Sequence, residues 1–124
     1  MAAARAPKRT RNGVGDATGA GGAVTQATSK STGVPLSKPC GQITMNAAAL
    51  AAATSVGFTL TNSVIAATDV IAVSIASAAT ADSYQVTVDA IAAGSCRISL
   101  GNVSAASKSE ALVLNFAILK AVNA

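Results

Sequence analysis

The chain has 124 residues, only 11% of them charged, with 51% apolar by type and no histidine or tryptophan. That length suits one domain and not two, and the lack of histidine excludes Ser–His and Cys–His nucleophile systems. Its two cysteines, without a C-x-x-C spacing, offer no zinc set; no cofactor is expected, and no enzymatic role.

Nine basic and five acidic residues give a net charge of +4. Arg5, Lys8, Arg9 and Arg11 carry that excess, since they stand within the first eleven residues with no acid among them. Any attraction to an acidic partner is expected to work through this segment. It can be read as a solubilising tail, as a strap for an acidic protein surface, or as a phosphate-binding arm. Nucleic-acid readers usually add a stacking platform or a recognition helix, and neither is legible here. The glycines at 13, 15, 19, 21 and 22 do not form a phosphate loop, because Ala-Val and not Lys-Ser/Thr follows Gly22.

Residues 1–22 therefore read as an extended, Gly-rich arm, and residues 23–124 as a β domain. "AVTQAT" and "GVPLS" come first, Pro35 marking an edge position or a break. "GQITMN" (41–46), "SVGFTLT" (55–61), "DVIAVSIAS" (69–77), "SYQVTVDA" (83–90) and "SCRISLGN" (95–102) all alternate apolar with small polar residues. That period of two predicts half-buried antiparallel strands. "EALVLNFAILK" (110–120) is apolar on both faces, so it is expected to be central or covered. "NAAALAAAT" (46–54) is too short to stand as a helix and is expected to be a loop with one helical turn at most. About eight strands at near-regular spacing predict an all-β sandwich or barrel.

The thirty alanines thin the core. Each buried Val, Leu or Ile contributes about 1.5–3 kcal/mol while each ordered residue costs about 1.5 kcal/mol, so burial against other subunits or a larger partner is expected to complete it. Outward positions are Ser, Thr, Ala and Asn in place of Lys and Glu, which fits packing among copies or against a shell. Cys40 is out of phase with Ile43 and Met45, whereas Cys96 is in phase with Ile98 and Leu100, so free thiols are expected unless a bulge intervenes. Asp69 and Asp82 are expected in solvent, and Asp89 and Glu110 as surface charges or halves of ion pairs between subunits. "NVS" (102–104) matches a glycosylation sequon by chance. No apolar stretch follows the basic start as in a secretory leader, and no run approaches a membrane span, so synthesis in a cytoplasm-like compartment and no membrane partner are expected.

"GGAVTQATSKSTGVPLSKPCGQITMN" (21–46), "FTLTNSVIAATDVI" (58–71), "AAGSCRISLGNVS" (92–104) and "SEALVLNFAILKAV" (109–122) resemble a family of small tailed-bacteriophage and prophage virion proteins. The resemblance spans about residues 21–122 and leaves the arm outside. It implies a capsid decoration (cement) protein of antiparallel, jelly-roll-like sandwich fold, made in the host cytoplasm and located on the virion's capsid exterior. Its expected partners are the major capsid protein and copies of itself, a trimer ahead of a dimer, with no small-molecule substrate and nucleic acid last. Arg5, Lys8, Arg9 and Arg11 would then contact the capsid. Fibre-type virion proteins carry similar stretches, so a tail-fibre, spike or adsorption module is the alternative, although the scarcity of aromatics counts against a sugar site.

Overall fold

The computed structural model describes residues 15–124, and within them every regular element is a strand. In chain order they are β1 (Gly21–Thr25), β2 (Val34–Pro35), β3 (Cys40–Thr44), β4 (Thr54–Thr61), β5 (Val70–Ser77), β6 (Tyr84–Ala92), β7 (Ser95–Asn102) and β8 (Val113–Leu119). They form two four-stranded sheets, sheet I in the order β1-β3-β8-β5 and sheet II in the order β2-β4-β7-β6. The protein is an all-β, sandwich-like domain of eight strands.

Nearly every connection leaves one sheet for the other; only β6 and β7 follow each other within a sheet. Their two-residue turn closes with Gly94 at φ +88°, in the left-handed region that glycine enters without steric cost. The crossings correct one expectation. Four of the six pairings are antiparallel as the alternation implies, but β1 lies parallel to β3 and β2 parallel to β4. These parallel pairs depart from an all-antiparallel, jelly-roll-like plan. Period-two patterning fixes which face is buried and is silent about direction; the excursion between β1 and β3 is long enough to bring the chain back in the same sense.

The core lies between the sheets and consists of the inward residues of the alternating segments. Ile43, Phe58, Leu60, Ile71, Cys96, Ile98, Leu100, Leu114, Phe116 and Ile118 are all buried, with Met45, Leu50, Ile65 and Leu112 added from the loops. β8 is central in sheet I, as its two apolar faces require, but its outward Asn115, Ala117 and Leu119 are exposed. β2, with Pro35, is an edge strand. The 46–53 segment is a loop, pinned where Leu50 bridges Lys108, and Asn46 caps a backbone turn there by accepting from Ala48 N–H at 2.8 Å.

β1 joins sheet I through a close backbone approach. A Cβ at Gly41 would lie 2.5 Å from the Gly22 carbonyl oxygen and 3.0 Å from Leu36 Cδ2. Backbone cannot retreat as a side-chain tip can, so Gly41→Ala is expected to cost about 1–3 kcal/mol by overpacking. Urea unfolding would show this as a lower midpoint with an unchanged slope.

Candidate functional site

Arg5, Lys8, Arg9 and Arg11 lie outside the described residues. What the structure places is their root. The described chain runs through Gly15–Ala20 into β1, where Gly21 pairs with Cys40 and Cys40 with Ala117. The chain thus enters the sandwich at the end where β8 leaves it. The loops that close this end are 36–39, 62–69 and the turn at Gly94.

A buried carboxylate paired with an exposed lysine organises that end. Asp69, expected in solvent, is buried, and its Oδ2 accepts from Lys120 Nζ at 2.7 Å and from Ala66 N–H at 2.8 Å. Lys120 also donates to the Val64 carbonyl at 2.8 Å. Burial pushes the Asp69 carboxyl up, and the Lys120 and backbone hydrogen bonds outweigh it, holding the group below its ordinary range. Beside the pair, the buried Asn62 donates to the Lys38 carbonyl at 2.7 Å and accepts from Val64 N–H at 2.9 Å.

The opposite end holds a second network, built on a buried cation in the "TSK" stretch. Lys30 is only 3% exposed, and its ammonium donates to the backbone carbonyls of Asn46 and, at 2.7 Å, Glu110. Burial pulls the Lys30 pKa down, against the pull of the Glu110 carboxylate. Gln26, also buried, donates to the Lys30 and Thr32 carbonyls at 2.9 Å each and accepts from Asn46 N–H at 3.0 Å. The Glu110 carboxylate extends the chain, accepting from Tyr84 OH at 2.7 Å and from Thr80 Oγ1 at 3.0 Å. The Tyr84 hydrogen bond comes first among the causes that hold Glu110 below its usual range. Glu110 is therefore an intrachain anchor, and Lys30 is the buried charge that strand alternation could not reveal. An open groove of about 260 Å³ lies next to this network, lined by Ile75, Ser77, Thr80, Asp82 and Tyr84.

The remaining sequence candidates fall into place individually. Asp82 is exposed in a turn at φ +62°. Asp89 meets Arg97 of the same chain at 3.6 Å on the outer face of sheet II. Both cysteines are free: Cys40 points outward from sheet I, and Cys96 is buried, its thiol pushed up to about 11 by burial and by the Asp89 carboxylate. Asn102 of the sequon is 1% exposed and donates to the Leu50 and Ala106 carbonyls at 2.9 Å each, so its amide is not presented for modification. Among the described residues no three His, Cys, Asp or Glu gather as a metal site would need.

The charge map gives the surface its polarity. β1, β3, β5 and β8 contain no Asp, Glu, Lys or Arg, so the outer face of sheet I presents Ala23, Gln42, Asn115, Ala117, Ala72 and Ser74, flanked by the exposed Val70 and Leu119. Sheet II carries Asp89 and Arg97 on its outer face, and the other described charges sit at one end or the other, Asp16 lying against the outward Cys40 where the chain enters β1. An uncharged sheet face is therefore rooted next to a strongly basic arm.

Lys120→Met leaves a buried carboxylate without its cation and should cost about 1–3 kcal/mol at pH 7, the lower part of the range reflecting the exposed lysine. Asp69, with its folded pKa depressed, stabilises the native protein above the unfolded carboxyl pKa of about 4 and stops doing so as pH falls through the folded value. The gap between wild type and variant in urea midpoint should accordingly narrow between pH 7 and pH 3. Compared with protein-family models, with curated proteins and with solved structures, the chain matches none.

Proposed function

We propose that this chain is a non-enzymatic structural protein of a bacteriophage virion, a decoration protein that binds the outer capsid surface and clamps adjacent capsid subunits. The observation that carries the reading is the separation of charge. The arm holds four cations and no acid in its first eleven residues, while the domain it enters offers a four-stranded sheet without one charged side chain. A free monomer usually keeps about a quarter of its residues charged. A sheet face of Ala, Ser, Asn and Gln can lie against another protein without desolvating charges, which is the costly step in docking. The basic arm would add charge-assisted hydrogen bonds to an acidic shell, offset by the entropy of ordering it. Many copies on one lattice would turn weak single contacts into firm attachment. The resemblance of residues 21–122 to phage virion proteins points the same way.

The test is co-sedimentation of the full chain with empty expanded capsids at low and moderate salt. Saturable binding is expected, and replacing Arg5, Lys8, Arg9 and Arg11 by Gln should weaken it about tenfold or more, at four charges worth a few tenths to 1 kcal/mol each. A urea midpoint equal to that of wild type would show that the variant keeps the folded domain intact. No binding at either salt would remove the capsid reading in favour of a tail-fibre or adsorption module. Salt-sensitive binding to DNA in the absence of capsid would favour the nucleic-acid reading.

A further inference from the structure

We propose that the outer edge of β5 is a self-complementary interface, through which two copies of this chain pair antiparallel about a two-fold axis and join their sheets I into one continuous eight-stranded sheet. This rests on the geometry of the sheet edges and not on any attachment to a capsid.

The sandwich has four sheet edges: β1, β2, β5 and β6. Three are poor templates for another strand. β2 is two residues long and contains Pro35, which has no N–H to offer. β6 carries Asp89 and a register shift between Asp89 and Ala92, with Ala90 in the left-handed region at φ +51°. β1 has five residues, two of them glycine, with Leu36 and Lys38 lying against Gly22. Charge, proline, bulges and shortness are the usual protections of an exposed edge.

β5 has none of them over its first six residues. Val70–Ile75, "VIAVSI", stays in regular register with β8, and the irregularity comes only between Ile75 and Ser77. Among the described residues it has no ladder partner on its outer side, so its outward-pointing backbone N–H and C=O groups form an unprotected row. Such a row recognises one thing, an extended strand. Since the other three edges of this chain are protected, the edge that fits β5 in a second copy is β5 itself. An antiparallel pairing of identical strands is isologous and closes at two copies, which gives a dimer and not the trimer expected from the resemblance.

The side chains along this edge lack a complete cover. Val73 and Ile75 of β5 and Val86, Val88 and Ile91 of β6 all point toward the core but remain half-buried, whereas their counterparts on the central strands β7 and β8 are sealed. A second copy would cover β5's half of this seam. In a pairing centred on Val73, Ala72 of one copy lies opposite Ser74 of the other, two small uncharged residues that meet without conflict.

The experiment is sedimentation equilibrium of the full chain, with three variants carrying exposed substitutions on the same sheet. The wild type is expected to be dimeric. Ala72→Lys with Ser74→Lys sets like charges opposite one another and should weaken dimerisation at least about tenfold, with far-ultraviolet circular dichroism unchanged. Gln42→Lys, on the same outer face but at β3, should leave the dimer intact. Mixing the double lysine variant with Ala72→Asp plus Ser74→Asp should restore a heterodimer. A monomeric wild type overturns the proposal, as does an oligomer indifferent to charges on β5 or one broken equally by Gln42→Lys. None of these outcomes depends on capsid binding.

Discussion

Three buried amides hold this sandwich shut. Because the chain changes sheet at nearly every connection, its loops must cross the open ends of the β-sandwich, where their backbone groups would lose water without gaining ladder partners. Gln26, Asn62 and Asn102 are each at most 2% exposed, and each donates to loop carbonyls while its own carbonyl oxygen accepts a loop N–H. A side-chain amide serves both kinds of backbone orphan at once, with two N–H donors where a hydroxyl has one and with a longer reach. The hydrophobic core brings the sheets together, and the amides make the crossings tolerable.

The same constraint explains the two buried charges. Lys30 supplies donors to two loop carbonyls that no amide reaches, and Asp69 accepts from a turn N–H while Lys120 balances its charge. Charge has thus been placed inside the ends and withheld from sheet I. The ends are tied together by polar networks, and the sheet I face between them offers a neighbour small and amide side chains, whose desolvation costs less than that of charges. The charge distribution divides the molecule into polar, networked ends and an uncharged sheet I.

The arm and the sheet act at different ranges. Cations attract over roughly a Debye length, about 8–10 Å in ordinary salt, while an uncharged face of small residues works only in contact. Because the basic segment leads into β1, a strand of sheet I itself, the proposed reading would bring both to bear on one partner. Entry at β1 also leaves β5, at the far edge of that sheet, clear of the arm's attachment.

Much of the strand plan was legible in the residues themselves. All eight segments read as strands are strands, the alternation marks the inward set from Ile43 to Ile118, Pro35 marks an edge, and the double-faced β8 is central. The charge asymmetry needed only counting. Legibility ended where a property depends on distant neighbours. Asp69 looked like an ordinary residue before a strand, and its burial follows from Lys120, 51 positions away, folding over it. Lys30 sits in a polar loop stretch whose burial comes from the crossings of other loops. Composition and periodicity determined an all-β chain of eight short strands with a basic, Gly-rich start, because burial alternates residue by residue along a strand. Only the tertiary structure decided strand direction, the parallel β1–β3 and β2–β4 pairs, the buried charges and the open edge at β5. Those follow from how each connection crosses the sandwich, which no local pattern encodes.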